Sequence, residues 1–294
     1  MSTSPAHSFT SAEPVSATID IGARADIWVG ATSRPEVTVD VTPRDPARQL
    51  DVRAAEATAV SFERGHLTVA LKHWRRESLF SDGGAVVVAV EVPIGSNIDV
   101  YSGMGNLSAD GEFGEAALST GMGEVRVGTS AGIRIKSGSG DITVERAVGP
   151  MDITTASGKI TAGDLQGSGR IKNGNGETVV GTIVGTVEIK ASNGDIVVSH
   201  VDGDVSAKSS TGSIRVFEAA RGSVDATTTT GAIRVGVRPG IAAWLELSSK
   251  QGTVRNLLTA GDAPDDSTDR VRITARSGYG DVLLQRSDEE GHNS

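Results

Sequence analysis

Between residues 98 and 287 one short phrase, VxIxx-turn-GxIxV, is written about ten times. Aligned on the last glycine of the turn, Gly105, Gly123, Gly140, Gly158, Gly176, Gly194, Gly212, Gly231, Gly252 and Gly280 fall into register. Their steps are 18, 17, 18, 18, 18, 18, 19, 21 and 28 residues. A period that short, sustained over most of a chain, signals stacked units, each able to bury its apolar face only against its neighbours.

In each unit a first strand places apolar residues at alternate positions, as in Ile133 and Ile135, Met151 and Ile153, Val187 and Ile189, or Leu245 and Leu247. A glycine-bearing turn follows. The second strand repeats the pattern with Ile142 and Val144, Ile160 and Ala162, Ile196 and Val198, or Val282 and Leu284. Alternation puts these pairs on one face and leaves the intervening Arg, Lys, Asp, Thr and Ser in water. A serial antiparallel meander would use the same turns, but it gives no reason for a constant length. Coil-on-coil registry does. The expectation is therefore an all-β, parallel two-sheet β-solenoid of about ten 18-residue coils. With only 3% aromatic residues the core must be thin and filled by Val, Ile, Leu and Ala.

The flanks are less regular. Residues 1–8 read as a disordered lead-in, and 9–97 as a β-rich N-terminal cap with strands at Val15–Ile21, Asp26–Val29 and Glu36–Val41. One short helix is expected between Pro43 and Ala59, with Asp45 and Pro46 starting it and Leu50, Ala54 and Ala57 on its apolar face. A hairpin turns at Glu63 to His66, and 72–84 reads as an exposed loop. Residues 257–270 form an acidic insertion in the last repeat. The tail 288–294 carries acids that would discourage strand addition to the last coil.

The run of [ST]-x-x-G-x-I-x-V phrases, such as KSGSGDITVERAVG and KSSTGSIRVFEAARG, follows a strand-rich region and the entry VEVPIGSNIDVYSGMGNL. In this it resembles the bacterial adhesin-type family of β-strand repeat proteins, also called toast-rack domains. The match covers about residues 12 to 287. The resemblance implies a stacked-strand, non-enzymatic module with no catalytic residues and no cofactor. Some relatives stand beside membrane segments linked to envelope-stress signalling, so a cytoplasmic partner in such a system is an alternative expectation.

The residues themselves point to no catalytic set. His7, His66, His73, His200 and His292 are scattered, cysteine is absent, and no metal-like spacing occurs. Gly-x-Gly-Asp phrases such as Gly138 to Asp141 lack the spacer of calcium-binding nonapeptide repeats and read as turn chemistry. A polysaccharide-acting enzyme of β-helix type would need a cluster of acids or bases on one face, which is not seen. A net charge of −9 argues against nucleic acid, and no apolar run would insert in a membrane. With no secretory leader pattern at its start, the chain reads as cytoplasmic.

Three outward features remain. Lys136, Lys172, Lys190 and Lys208 would stack, but Asp152, Glu188, Asp225 and Glu246 interleave with them and suggest a solvated, charge-mixed face. Ser137, Thr155, Ser209, Thr228 and Ser249 crowd the first turn and are expected to satisfy its backbone groups. Arg215, Arg234 and Arg255 are less neutralised and should form a line one coil apart, the candidate interaction strip for a protein, an acidic ligand or a glycan. The sequence identifies neither the partner nor the oligomeric state.

Overall fold

A computed structural model describes residues 7–71, 84–258 and 270–287. The chain divides into two compact units, Met1–Val148 and Gly149–Ser294. Most of the loop, insertion and tail expected at 72–84, 257–270 and 288–294 lies outside the described residues.

The first unit contains β1 (His7–Thr10), β2 (Ser16–Thr32), β3 (Glu36–Pro43), α1 (Gln49–Ala57), β4 (Thr58–Glu63), β5 (His66–Leu71), β6 (Ala85–Pro93), β7 (Asn97–Met104), β8 (Leu107–Met122), β9 (Val125–Ser139) and β10 (Ile142–Val148). Strand β1 begins inside the segment expected to be a lead-in. From β7 onward the pairing is parallel and in register: Ile98 opposite Ala116, Leu107 opposite Val125, Val125 opposite Ile142. The change of period near residue 97 is not a structural seam, because β2 is a complete bent coil lying directly on β7 and β8. Its other side pairs with β5 and β6. Antiparallel strands then close this end, β4 on β5, and β3 on β6 with β1 on β3.

Helix α1 starts later than the sequence suggests, with Arg48 as its N-cap and no side-chain cap bond. Asp45 instead accepts from the Ala47 N–H at 2.9 Å. The inward face is Asp51, Ala54 and Ala55 rather than Leu50, Ala54 and Ala57. Buried Asp51 accepts backbone N–H groups from Asp45 and Ala85, tying the helix to the start of β6.

The second unit contains β11 (Met151–Ser157), β12 (Ile160–Asn175), β13 (Thr178–Asn193), β14 (Ile196–Thr211), β15 (Ile214–Thr230), β16 (Ile233–Val237), β17 (Ala242–Gln251), β18 (Val254–Asn256), β19 (Arg270–Tyr279) and β20 (Val282–Arg286). Equivalent positions pair at the expected offset of one repeat from β11 to β15. The last two coils exchange places. The coil latest in sequence, β19 and β20, pairs with β15 and β16. The earlier coil, β17 and β18, lies beyond it and pairs only with β19 and β20 among the described residues. The acidic tail therefore follows an interior coil, not the edge it was expected to guard.

Composition explains the exchange. Val271, Ile273, Ala275, Val282 and Leu284 give the later coil a full inward set, all buried. In the earlier coil Asn256 occupies the position opposite Leu284. An amide buried there without partners would be costly, so this coil is the one suited to the end. There Asn256 stays exposed and accepts from the Leu258 N–H at 3.0 Å.

Elsewhere the inward assignments hold, and Ile133, Ile135, Ile142, Ile153, Ile160, Ile189, Ile196 and Ile214 are all buried. Four of the five turn hydroxyls behave as expected: Thr155 donates to the Ser157 carbonyl at 3.2 Å, Ser209 to Gly194 at 3.1 Å, Thr228 to Gly212 at 2.9 Å and Ser249 to Gly280 at 2.9 Å, whereas the buried Ser137 hydroxyl has no hydrogen-bond partner among the described residues. A second glycine column, Gly167, Gly185 and Gly203, marks the other turn of each coil.

Glycine in the first column answers two demands. At Gly194 φ is +149°, and an added Cβ would lie 2.0 Å from the Gly176 carbonyl oxygen. Gly240 has φ +79° with no atom within 4 Å of an added Cβ. We expect Gly240→Ala to cost about 1 kcal/mol through backbone strain alone, and Gly194→Ala to cost more, as read by urea denaturation. We also expect Ile196→Asp to lose about 4 kcal/mol or more, against about 1 kcal/mol or less for Lys190→Asp. Equal melting temperatures for that second pair would contradict the in–out assignment.

Candidate functional site

Because coils stack in parallel register, a side chain facing out on one coil meets its counterpart on the next. Lys172 of β12 lies opposite Lys190 of β13, which lies opposite Lys208 of β14. Thr154 of β11 precedes this column and Thr227 of β15 follows it. At the next outward position toward the turn stand Gly174, Ser192 and Ser210, small enough to leave an open groove of about 520 Å³ along the lysines. Lys136, the fourth lysine of the expected series, belongs to the first unit, opposite Ser119.

The neighbouring column carries Asp152, Arg170, Glu188, Ser206 and Asp225 in register. Glu188 takes Lys190 at 2.6 Å and Arg170 at 3.1 Å. The hydrogen bond from Lys190 is the main reason its carboxyl titrates below the ordinary range. The expected charge mixing thus holds at Lys190. Lys172 and Lys208 have no carboxylate within ion-pair distance among the described residues. Under the groove, Asn173 is buried and its amide N–H groups donate to Gly158 O at 3.0 Å and Gly176 O at 3.1 Å.

The arginine strip is only partly assembled. Arg215 lies opposite Arg234, and Arg215 also sits over the Phe217 ring at 5.8 Å. Leu283 occupies the next place, and Arg255 lies beyond Leu283. The three arginines share one column, but Arg255 is two strands from Arg234 because of the coil exchange. Only the pair is adjacent.

A polar cluster absent from the sequence reading forms at the other turn. Glu218 bonds Arg238 at 2.8 Å, His200 at 3.0 Å and the Ser287 hydroxyl at 3.0 Å. Asp202 pairs with Arg221. These partners come from separate repeats, and the sequence signal lay in the alignment of His200 with Glu218 and of Asp202 with Arg221 one coil on. Among the described residues no three His, Asp or Glu side chains stand close enough to hold a metal ion.

Burial would raise the Glu218 carboxyl, but hydrogen bonds from Arg238 and Ser287 outweigh it and hold the group below 4.5. A carboxyl lowered by folding stabilises the fold above its ordinary value, and that contribution is lost as pH falls through the lower one. The expected outcome is that wild type loses more melting temperature than Glu218→Gln as pH is taken below about 4.5, in a calorimetric series. Parallel curves would show that the cluster contributes nothing.

The protein-family model that matches is described as Toastrack DUF4097 and covers residues 17–292. No curated protein matches. A crystal structure described as a candidate adhesin from Parabacteroides merdae is 13% identical, with 95% of each chain covered and a TM-score of 0.41. Another described in the same way, from Bacteroides fragilis, is 12% identical over 95% of this chain and 96% of that one, TM-score 0.33. A Parabacteroides distasonis structure described as a candidate lipid-binding protein is 12% identical over 95% and 96%, TM-score 0.33.

Proposed function

The chain belongs to the Toastrack DUF4097 family, and from that premise we propose that it is a non-catalytic, adhesin-like binding module that holds an acidic glycan along the lysine groove of its second unit. The observation that carries this reading is the in-register column Lys172, Lys190 and Lys208 lining an open groove.

A hydrogen-bonded sheet roots the three lysine side chains about 4.8 Å apart per strand, so a chain ligand with regularly spaced carboxylates meets cations anchored at a regular spacing. Lys172 and Lys208 can take a carboxylate without displacing an acid of the protein, whereas Lys190 is already partly offset by Glu188. Thr154, Ser192, Ser210 and Thr227 line the same groove and supply hydroxyls for sugar hydroxyls. Small-molecule pockets enclose most of their ligand, and an open track instead suits a polymer lying along it. Three lysines on a chain of net charge −9 are too few for general nucleic-acid binding.

The test is isothermal titration with a soluble polyuronate oligomer, with dextran as the neutral control. Wild type should bind the polyuronate alone, and more weakly as salt is raised. The Lys172→Ser, Lys208→Ser double variant should bind about tenfold more weakly with an unchanged melting temperature. Unchanged affinity in that variant sinks the groove. A loss confined to the Arg215→Ser, Arg234→Ser variant would move the site to the arginine pair.

A further inference from the structure

The exchanged coil at the end of the second unit leaves an edge that the interior coils do not have. Strands β13, β14 and β19 are each bonded to strands on both sides. Strand β17 bonds only to β19, and β18 only to β20, among the described residues. Among the described residues, one whole side of this 10-residue strand therefore has no ladder partner.

Its inward face is open as well. Leu245 and Leu247 are half-buried and Val254 is 41% exposed, whereas Ile273 and Val282 at the same positions one coil inward are buried. Trp244, on the outward face, is 77% exposed. Natural edges are usually blunted by proline, a bulge or a covering element. Strand β17 contains no proline and pairs with β19 without a register shift. The first unit covers its own end coil with antiparallel β3 and β4, so the contrast is specific to this edge.

We propose that this edge is a self-docking surface, on which a second copy of the chain adds its own β17 antiparallel about a two-fold axis through Ser248. The charges select both the partner and the register. Outward along the strand run Trp244, Glu246, Ser248 and Lys250, so an acid and a base stand symmetrically about Ser248. Antiparallel pairing centred there sets Glu246 of each copy against Lys250 of the other, twice. A shift of the centre to Glu246 would oppose like charges, which destabilises a cross-strand pair.

The same register puts Trp244 opposite Gly252, where no side chain competes for the space. Arg276 already holds one Glu246 oxygen at 2.6 Å, yet the Glu246 side chain remains 64% exposed and open to a second cation. In that register Leu247 of each copy stands opposite Ser249 of the other and diagonal to its Leu247, and Leu245 stands opposite Gln251, so the half-buried leucines lose part of their remaining water. A two-fold contact closes on itself and leaves no new edge, whereas a head-to-tail addition would expose another strand and continue.

The test measures self-association of the full chain by light scattering coupled to size exclusion, with thermal melts confirming that each variant is folded. Wild type should dimerise with a micromolar Kd. Glu246→Lys and Lys250→Glu should each weaken the dimer about tenfold or more, since each creates two like-charge pairs. The chain carrying both exchanges should dimerise as wild type does, and an equimolar mixture of the two single variants should form a heterodimer. A monomeric wild type, a dimer indifferent to the single exchanges, or singles that neither the double variant nor the mixture restores would each overturn the proposal.

Discussion

The close approach of one turn to the next constrains everything else in this chain. A Cβ at Gly123 would lie 2.0 Å from the Gly105 carbonyl, and at Gly212 it would lie 2.1 Å from that of Gly194. At that distance the backbone of each coil rests directly on the last, and the coils one residue shorter or longer keep their strands paired only through local irregularities, at Ala109/Glu112 and Val201/Asp202. Registry in turn makes every position a column. Inward columns become the thin aliphatic core, and outward columns become ladders of side chains one coil apart, a regularly spaced surface for binding chemistry.

Much of that frame is legible before any coordinates. The glycine period specifies the offset, and alternation specifies inside and outside, so Ile196 and Ile214 are correctly buried. What a period cannot specify is order, because strands of equal register are interchangeable partners. Coil β19–β20 takes the place next to β15 and β16 because it offers an uninterrupted apolar set, while its rival has Asn256 where Leu284 stands. That single polar residue at an inward position was the available signal. The exchange parts Arg255 from its expected neighbour Arg234 and leaves the acidic tail following an interior coil. The N-terminal flank shows the same freedom: β2 is a true coil between β5–β6 and β7–β8, although 33 residues separate its end from His66.

The ladders differ in how much of their chemistry the fold already consumes. Hydroxyls at Ser209, Thr228, Ser249 and Ser277 are committed to turn carbonyls, each bonded at 2.9–3.1 Å. Glu218 and Asp202 are committed to arginines from adjacent coils. A column whose members satisfy one another has little left for a ligand. In the lysine column like charges instead lie side by side and repel, and only Lys190 is answered by an acid of its own strand. The unanswered charge of Lys172 and Lys208 is thus a cost in the free protein that an anion removes, so ligand binding and relief of repulsion have the same sign.

The lysine column also connects the groove to the open edge. Followed strand by strand, Lys208 is succeeded by Thr227, then Arg276, then Ser248, the residue at the centre of the outward row of β17. A two-fold axis through Ser248 and normal to that sheet would set the columns of two copies end to end on one face. The two Lys208 positions would then be seven strand spacings apart, about 34 Å, with an Arg276 on each side of the centre. Arg276 is held by Glu246, the same acid that selects the docking register. Two weak tracks on one rigid face act on a polymer as a single bivalent site, because engagement of the first raises the effective concentration at the second. If the edge pairs as proposed, one polymer spanning both grooves would gain avidity without any new contact.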